Sequence, residues 1–195
     1  MIMTYIEDQR IENMTYKNER LENIEYNDCV FEKCQFTEVN MSGCIFNHCE
    51  FRACEFKLMK FDHCRMQNAS FQDCLLMGIN WDELQSGATK SFPVETFNHC
   101  VLKYNNFVRS FLIKFDFSTC TILDCFFLEC TLTKANFSKA TFKETNFSAC
   151  NLSESDFRGA EGYAIDIQSC KITKAKFSFP EVIALLDALD ITIEK

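Results

Sequence analysis

The sequence predicts an all-β fold, a chain wound as a parallel β-helix that is four-sided in cross-section. From Ala135 to Ala160 the residues Phe137, Phe142, Phe147, Leu152 and Phe157 recur every five positions. Two residues before each stands a small side chain: Ala135, Ala140, Thr145, Cys150 and Ser155. A period of five fits neither the 3.6 of a helix nor the 2 of a strand, so the chain must turn a corner at every repeat. Four such sides close a coil of about twenty residues, and coils stack at the inter-strand spacing of roughly 4.8 Å. Composition agrees: 21 Phe with a mean hydropathy of only −0.13 require the aromatics to line one side of a periodic wall.

A single solenoid domain accounts for residues 1–195, because each coil needs only its neighbours for a core. The first array spans 1–81, with apolar centres running from Ile6 through Ile11, Tyr16, Leu21 and Tyr26 to Leu76 and Trp81. Its start is irregular, since Thr4, Gln9 and Glu19 occupy slots that should face inward. The first coil is therefore expected either to be distorted or to serve as a polar cap over the end. After Trp81 the period breaks, for Ser86 and Ser91 cannot fill a core, and it resumes at Phe97 shifted by one residue. Residues 82–96 are expected to protrude as a loop, and a Gly and a Pro suit its turns. With Trp81, Asp82, Glu83, Leu84, Phe92 and Val94 at its feet, it is a candidate partner-binding element.

The second array, 97–177, places Val101, Val108, Phe111, Ile113, Leu123, Phe126 and Leu128 beside centres rather than at them. Val108, Phe111, Ile113, Phe126 and Leu128 should thus form an apolar outer patch, which wants a cover, and the loop is the candidate cover. The repeat falters at Gly162, where a centre is due, and recovers at Ile167. In the tail, 178–195, Ser178 and Glu181 read as a capping box and Pro180 as a first helical turn. A short helix should lead into an extended Ile191-Thr192-Ile193. Phe179, Val182, Ile183, Leu186, Leu189, Ile191 and Ile193 are more apolar surface than one coil end needs, so the tail is expected to form a symmetric homodimer.

Thirteen cysteines would suggest a disulfide or zinc scaffold if position were ignored. All of them fall in the small slot two residues before a centre, so they are expected inside, reduced, as small hydrophobes. No run of apolar residues long enough for a membrane span and no secretory leader is found, and a cytoplasmic location without membrane contact is expected. The net charge of −8 is uneven, about −5 over residues 1–80 and about +2 over 98–177. That balance argues against nucleic acid as a direct ligand and leaves a basic partner open. Glu7, Asp8, Glu25 and Asp28 gather on one side of the first coils as an acidic face, unrelieved by Lys or Arg until Arg65.

Catalytic chemistry finds no foothold. His48, His63 and His99 each sit two residues after a centre, on the opposite side of the wall from the Cys that follows, so no Cys-His pair forms. There is no phosphate-binding Gly loop, and no metal or cofactor is expected. The reading is a non-enzyme.

Units such as ANFSK, CNLSE and SDFRG resemble the pentapeptide-repeat family, whose motif is a small residue, Asp or Asn, Leu or Phe, then small or polar residues. The resemblance implies a right-handed quadrilateral β-helix. A loop after CLLMGIN, the segment DFRGAEG and the tail FSFPEVIALLDALDITIEK are similar to the quinolone-resistance and microcin-immunity members that act on DNA gyrase. Members of that type are read as acidic rods occupying the DNA-binding saddle of the gyrase A subunit. The resemblance therefore implies a DNA mimic whose partner is DNA gyrase or topoisomerase IV. The competing expectation is an interaction scaffold with no topoisomerase target.

Overall fold

The computed structural model describes residues 2–84, 92–189 and 191, with only the backbone for 187 and 188. It is a right-handed parallel β-solenoid of about eight turns. The first face stacks Thr4–Glu7, Ile24–Asn27, Ile45–Asn47 and Arg65–Gln67; the second runs from Arg10–Glu12 to Val94–Asn98. The third runs from Thr15–Lys17 to Thr121–Leu123, and the fourth begins at Arg20–Glu22 and includes Asn106–Val108 and Phe126–Leu128. The strand Thr141–Ser148 bends round the corner between the third and fourth faces. Neighbouring coils pair in parallel at an offset of twenty, as in Tyr26 with Phe46 and Phe36 with Phe56.

Corners are made by backbone conformation rather than by glycine. The residue two after a centre takes a left-handed φ: 54° at Asn18, 53° at Asp28, 50° at Ala53, 55° at Leu58 and 63° at Lys139. Asn and Asp tolerate this region, while Ala and Leu incur a steric cost of roughly 1–2 kcal/mol. Inside, like residues stack on like. The ring centroids of Phe107 and Phe127 are 4.5 Å apart, those of Phe127 and Phe147 4.6 Å, and those of Phe31 and Phe51 4.9 Å.

The slot residues do more than fill space. Cys54 Sγ accepts the N–H of Cys34 at 3.4 Å and donates to the carbonyl of Phe31 at 3.4 Å, joining two backbone groups of the coil below. Thr145 Oγ1 does the same for the N–H of Cys125 and the carbonyl of Ile122. Where the corner is a tight turn the slot N–H bonds back within its own coil, as Ala135 to Leu132 and Ala140 to Phe137, and a side-chain donor is not needed. Buried backbone groups must be paired, so Cys sits mostly in open corners and Ala in tight ones; Cys120, Cys170 and Ala69 are exceptions. All thirteen cysteines are buried free thiols. Burial pushes Cys49 and Cys120 up to about 12 and Cys125 to about 11.

Three expectations need correction. Of the two alternatives for the first coil, distortion is ruled out, since its strands pair regularly with the second; Thr4, Gln9 and Glu19 lie exposed at the end, as the polar-cap alternative expects. The helix Glu181–Ala188 is a 3-10 helix, not an α-helix started by a capping box. Its N-cap is Pro180, and the Ser178 hydroxyl accepts the Gly159 N–H of the preceding coil instead. Ile191 lies in no strand, and Thr192 and Ile193 lie outside the described residues. The third concerns where the repeat recovers: the break falls at Gly162 as expected, where φ is +76° and a Cβ would meet the Phe142 carbonyl, but Tyr163 and Ile165 fill the core while the expected centre Ile167 is only half-buried.

Candidate protein-interaction surface

The loop interrupts the first face of the fifth coil. Across it the pairing offset changes from 20 to 26, with Phe71 opposite Phe97 and Leu76 opposite Leu102. Among the described residues no strand follows Arg65–Gln67 on that face, and the loop's feet turn toward the interior there. Phe92 enters and packs its ring 5.7 Å from Trp81, 5.9 Å from Phe107 and 5.6 Å from Phe115, the one aromatic in the slot two residues before a centre among the described residues. Trp81, Leu84 and Val94 are buried as well. The expectation that these residues face a partner is therefore corrected: they pack into the interior. Glu83 is also engaged, accepting the Phe61 N–H at 3.2 Å and the Asn80 amide at 2.9 Å. Asp82 alone of the six is exposed.

The outer patch is bare. Phe111, Ile113, Phe126 and Leu128 are 47, 54, 54 and 40% exposed, and half-buried Val108 pairs with Leu128 in register. Having turned inward, the described feet of the loop do not cover it, contrary to expectation. Two further exposed apolar side chains were missed by periodicity. Leu58 and Tyr104, at 54 and 51% exposure, sit at left-handed corners, a position where the sequence pattern gave no reason to look for apolar side chains. Lys103 Nζ lies 4.8 Å from the Tyr104 ring centroid.

On the first face, Glu7, Asp8 and Asp28 are exposed and Glu25 is half-buried. Glu25 Oε1 accepts the side-chain amides of Asn27 and Asn47 at 3.3 and 3.4 Å, and these two asparagines bond to each other at 2.8 Å. Among the described residues no ion pair involves any of the four acids. On the other faces of the first three coils five acids are paired, Glu12 and Glu32 with Arg10, Glu22 with Arg20, Glu50 with Arg52 and Glu55 with Lys57, while Glu19 and Glu38 are in no ion pair among the described residues.

The family profile described as a pentapeptide repeat region matches residues 24–107, and that of pentapeptide repeats in eight copies matches 116–148 and 142–178. The chain belongs to the pentapeptide-repeat family. No curated protein matches the sequence. Among solved structures, this pentapeptide-repeat protein is similar to QnrB1, a plasmid-mediated fluoroquinolone resistance protein, at 17% identity and a TM-score of 0.51, with all of both chains covered. It is also similar to HetL, a pentapeptide repeat protein involved in heterocyst differentiation regulation from the cyanobacterium Nostoc sp. strain PCC 7120. That match has 11% identity, covers 87% of each chain and has a TM-score of 0.32. At these identities the likeness concerns the fold.

In the tail of this pentapeptide-repeat protein, Leu185 is buried and Val182 packs on the core. Phe179, Ile183, Leu186 and Ile191 are exposed at 79, 39, 36 and 56%, Leu189 is half-buried, and Ile193 lies outside the described residues. His48, His63 and His99 stand exposed at corners. Among the described residues no group of three or more His, Cys, Asp or Glu could hold a metal ion, and no helix is long and apolar enough to cross a membrane.

Proposed function

We propose that the protein is a non-enzymatic DNA mimic of the cytoplasm that binds a type II topoisomerase, DNA gyrase or topoisomerase IV, and protects it from quinolone or microcin-type poisons. The observation that carries this reading is the unneutralised first face. Glu7, Asp8, Glu25 and Asp28 form no ion pair among the described residues, whereas Glu12, Glu22, Glu32, Glu50 and Glu55 on the other faces of the first coils are paired within the chain. A rigid anionic strip of this kind complements the Lys and Arg that otherwise meet phosphates. The QnrB1-like fold is consistent with it. In the same reading the exposed apolar residues of the tail join two copies, and the loop between Trp81 and Phe97 adds a partner contact through Asp82.

The bare patch around Phe126 and Leu128 favours a second reading, a scaffold that holds a partner through apolar contact. Salt separates the two, because charge mimicry weakens steeply with ionic strength and apolar contact does not. The decisive experiment is a gyrase supercoiling assay with and without a quinolone or microcin, alongside binding of a Glu25→Lys/Asp28→Lys variant at several salt concentrations. The mimic reading expects protection by the wild type, and weaker binding with a flatter salt slope for the variant. Unchanged affinity and slope would transfer the function to the scaffold.

A further inference from the structure

The corner between the third and fourth faces carries a ridge of its own. Leu58, Gly78 and Tyr104 occupy it in three successive coils, for the Leu58 N–H donates to the Met77 carbonyl at 2.9 Å and the Gly78 N–H to the Lys103 carbonyl at 2.8 Å. Gly78 joins the other two. A Cβ built on it would stand 2.8 Å from Leu58 Cδ2, so the leucine lies across the place of the missing side chain, toward Tyr104. Leu58 and Tyr104 belong to no part of the core and are 54 and 51% exposed, with half-buried Met77 beside them. Lysines border this apolar strip. Lys57 is paired with Glu55, whereas Lys60 and Lys103 are in no ion pair among the described residues, and Lys103 Nζ lies over the Tyr104 ring. The same corner bears Glu38 in the coil below Leu58 and Asp124 in the coil above Tyr104, since Glu38 N–H donates to the Lys57 carbonyl and Tyr104 N–H to that of Leu123. The ridge is thus bounded by acids, with about 10 Å between its two apolar residues at the inter-strand spacing.

We infer that this ridge docks a short acidic segment of a partner protein, whose apolar side chains cover Leu58 and Tyr104 while its carboxylates meet Lys60 and Lys103. A span of about 10 Å takes roughly three residues of extended chain or two turns of helix. Glu38 and Asp124 repel a longer acidic strand at either end, and so limit the segment to the ridge. They would equally oppose the headgroups of a flat anionic membrane or a run of phosphates, which is why the occupant is a peptide. The site goes beyond the topoisomerase reading. The acids that carry that reading lie on the first face and at the corner after it, diagonally across the rod from the ridge. Nor is it the bare patch, whose Phe126 and Leu128 lie on the fourth face of the next coil. One rod can therefore hold two partners at once, on opposite sides.

The test uses the full chain, with a displayed library of random decapeptides as the probe. Peptides are selected on the wild type and counter-selected on a Leu58→Asn/Tyr104→Asn variant. Asn already stands at this corner in the first coil, at Asn18 with φ 54°, so the variant keeps its backbone. Enriched peptides should set Leu, Ile, Met or Phe among Asp and Glu. A labelled example should bind the wild type more tightly than the Asn variant or Lys60→Glu/Lys103→Glu, by roughly tenfold or more. No enrichment over the variant, enriched peptides without acids, or an affinity indifferent to the lysine reversal would overturn the inference. So would loss, in the Asn variant, of binding to phosphatidylserine vesicles or of self-association, because the ridge would then belong to a membrane or to a second copy. Glu25→Lys/Asp28→Lys should leave peptide binding unchanged, and the Asn variant should leave gyrase binding unchanged. Failure of one conclusion is thereby told from failure of the other.

Discussion

Gly162 lies so close beneath the carbonyl of Phe142 that a Cβ built on it would stand 2.2 Å from the oxygen. The contact is backbone on backbone, so no rotamer change can relieve it. Gly162→Ala should destabilise the protein by roughly 3 kcal/mol, combining overpacking with the strain of a positive φ. Urea denaturation of the two proteins checks it, and a cost below that of an exposed Ala substitution would refute the close approach.

Cys54→Ala should cost about 1–3 kcal/mol, because it leaves the Phe31 carbonyl and the Cys34 N–H buried and unpaired. Cys54→Ser, which keeps a donor and an acceptor in the slot, should recover at least part of that loss. Equal midpoints for the Ala and Ser variants in thermal denaturation would show that the thiol is only a space-filler.

Ala53 is exposed and held at φ 50°. Left-handed backbone costs Ala roughly 1–2 kcal/mol, and glycine's freer unfolded chain returns about 0.4–1 of it. Ala53→Gly should therefore raise stability by about 0.5–1 kcal/mol, a rare case of glycine strengthening a β-fold. A lower denaturation midpoint for the variant would contradict the corner geometry.

Stability should fall at alkaline pH. Thiols that titrate near 9.0 when unfolded are pushed by burial to about 12 at Cys49 and Cys120 in the fold. A group raised in the folded state stabilises below its unfolded value and loses that contribution as pH climbs through its folded one. Denaturation midpoints should hold up to about pH 9 and decline from there toward 12. A flat profile across that window would mean that the thiols reach water.

The period of five made most of this legible. Centres such as Phe31, Phe107 and Phe137, and the slots that hold Cys29 to Cys170, follow from counting alone, and so does the resumption at Phe97. Where the period stops the spacing offers no measure: nothing in it says that Leu84, Phe92 and Val94 turn inward, because that depends on where Trp81, Phe107 and Phe115 leave room for them. Leu58 and Tyr104 escaped notice because a corner position carries no burial signal. That Ser178 does not cap the tail helix is visible only once Gly159 is placed beneath it, for its hydroxyl accepts the Gly159 N–H. The acidic face was legible as composition. Its lack of internal counterions was not, since whether Glu25 meets an arginine or an asparagine depends on which residues share a face.

An offset of twenty between coils means that the rod comes only in whole graduations. Excising residues 25–44 would join Ile24 to Ile45 with every remaining side chain still facing as before, since Glu25 and Ile45 already occupy equivalent places. The product would be a shorter gauge, by about 4.8 Å. Its surface markings would move relative to one another by one division on either side of the cut. Lengthening by a duplicated coil works in the opposite sense. Reach along the axis can thus be tuned in discrete steps while the chemistry of each remaining coil is left untouched, which lets a filled solenoid serve as a measuring stick.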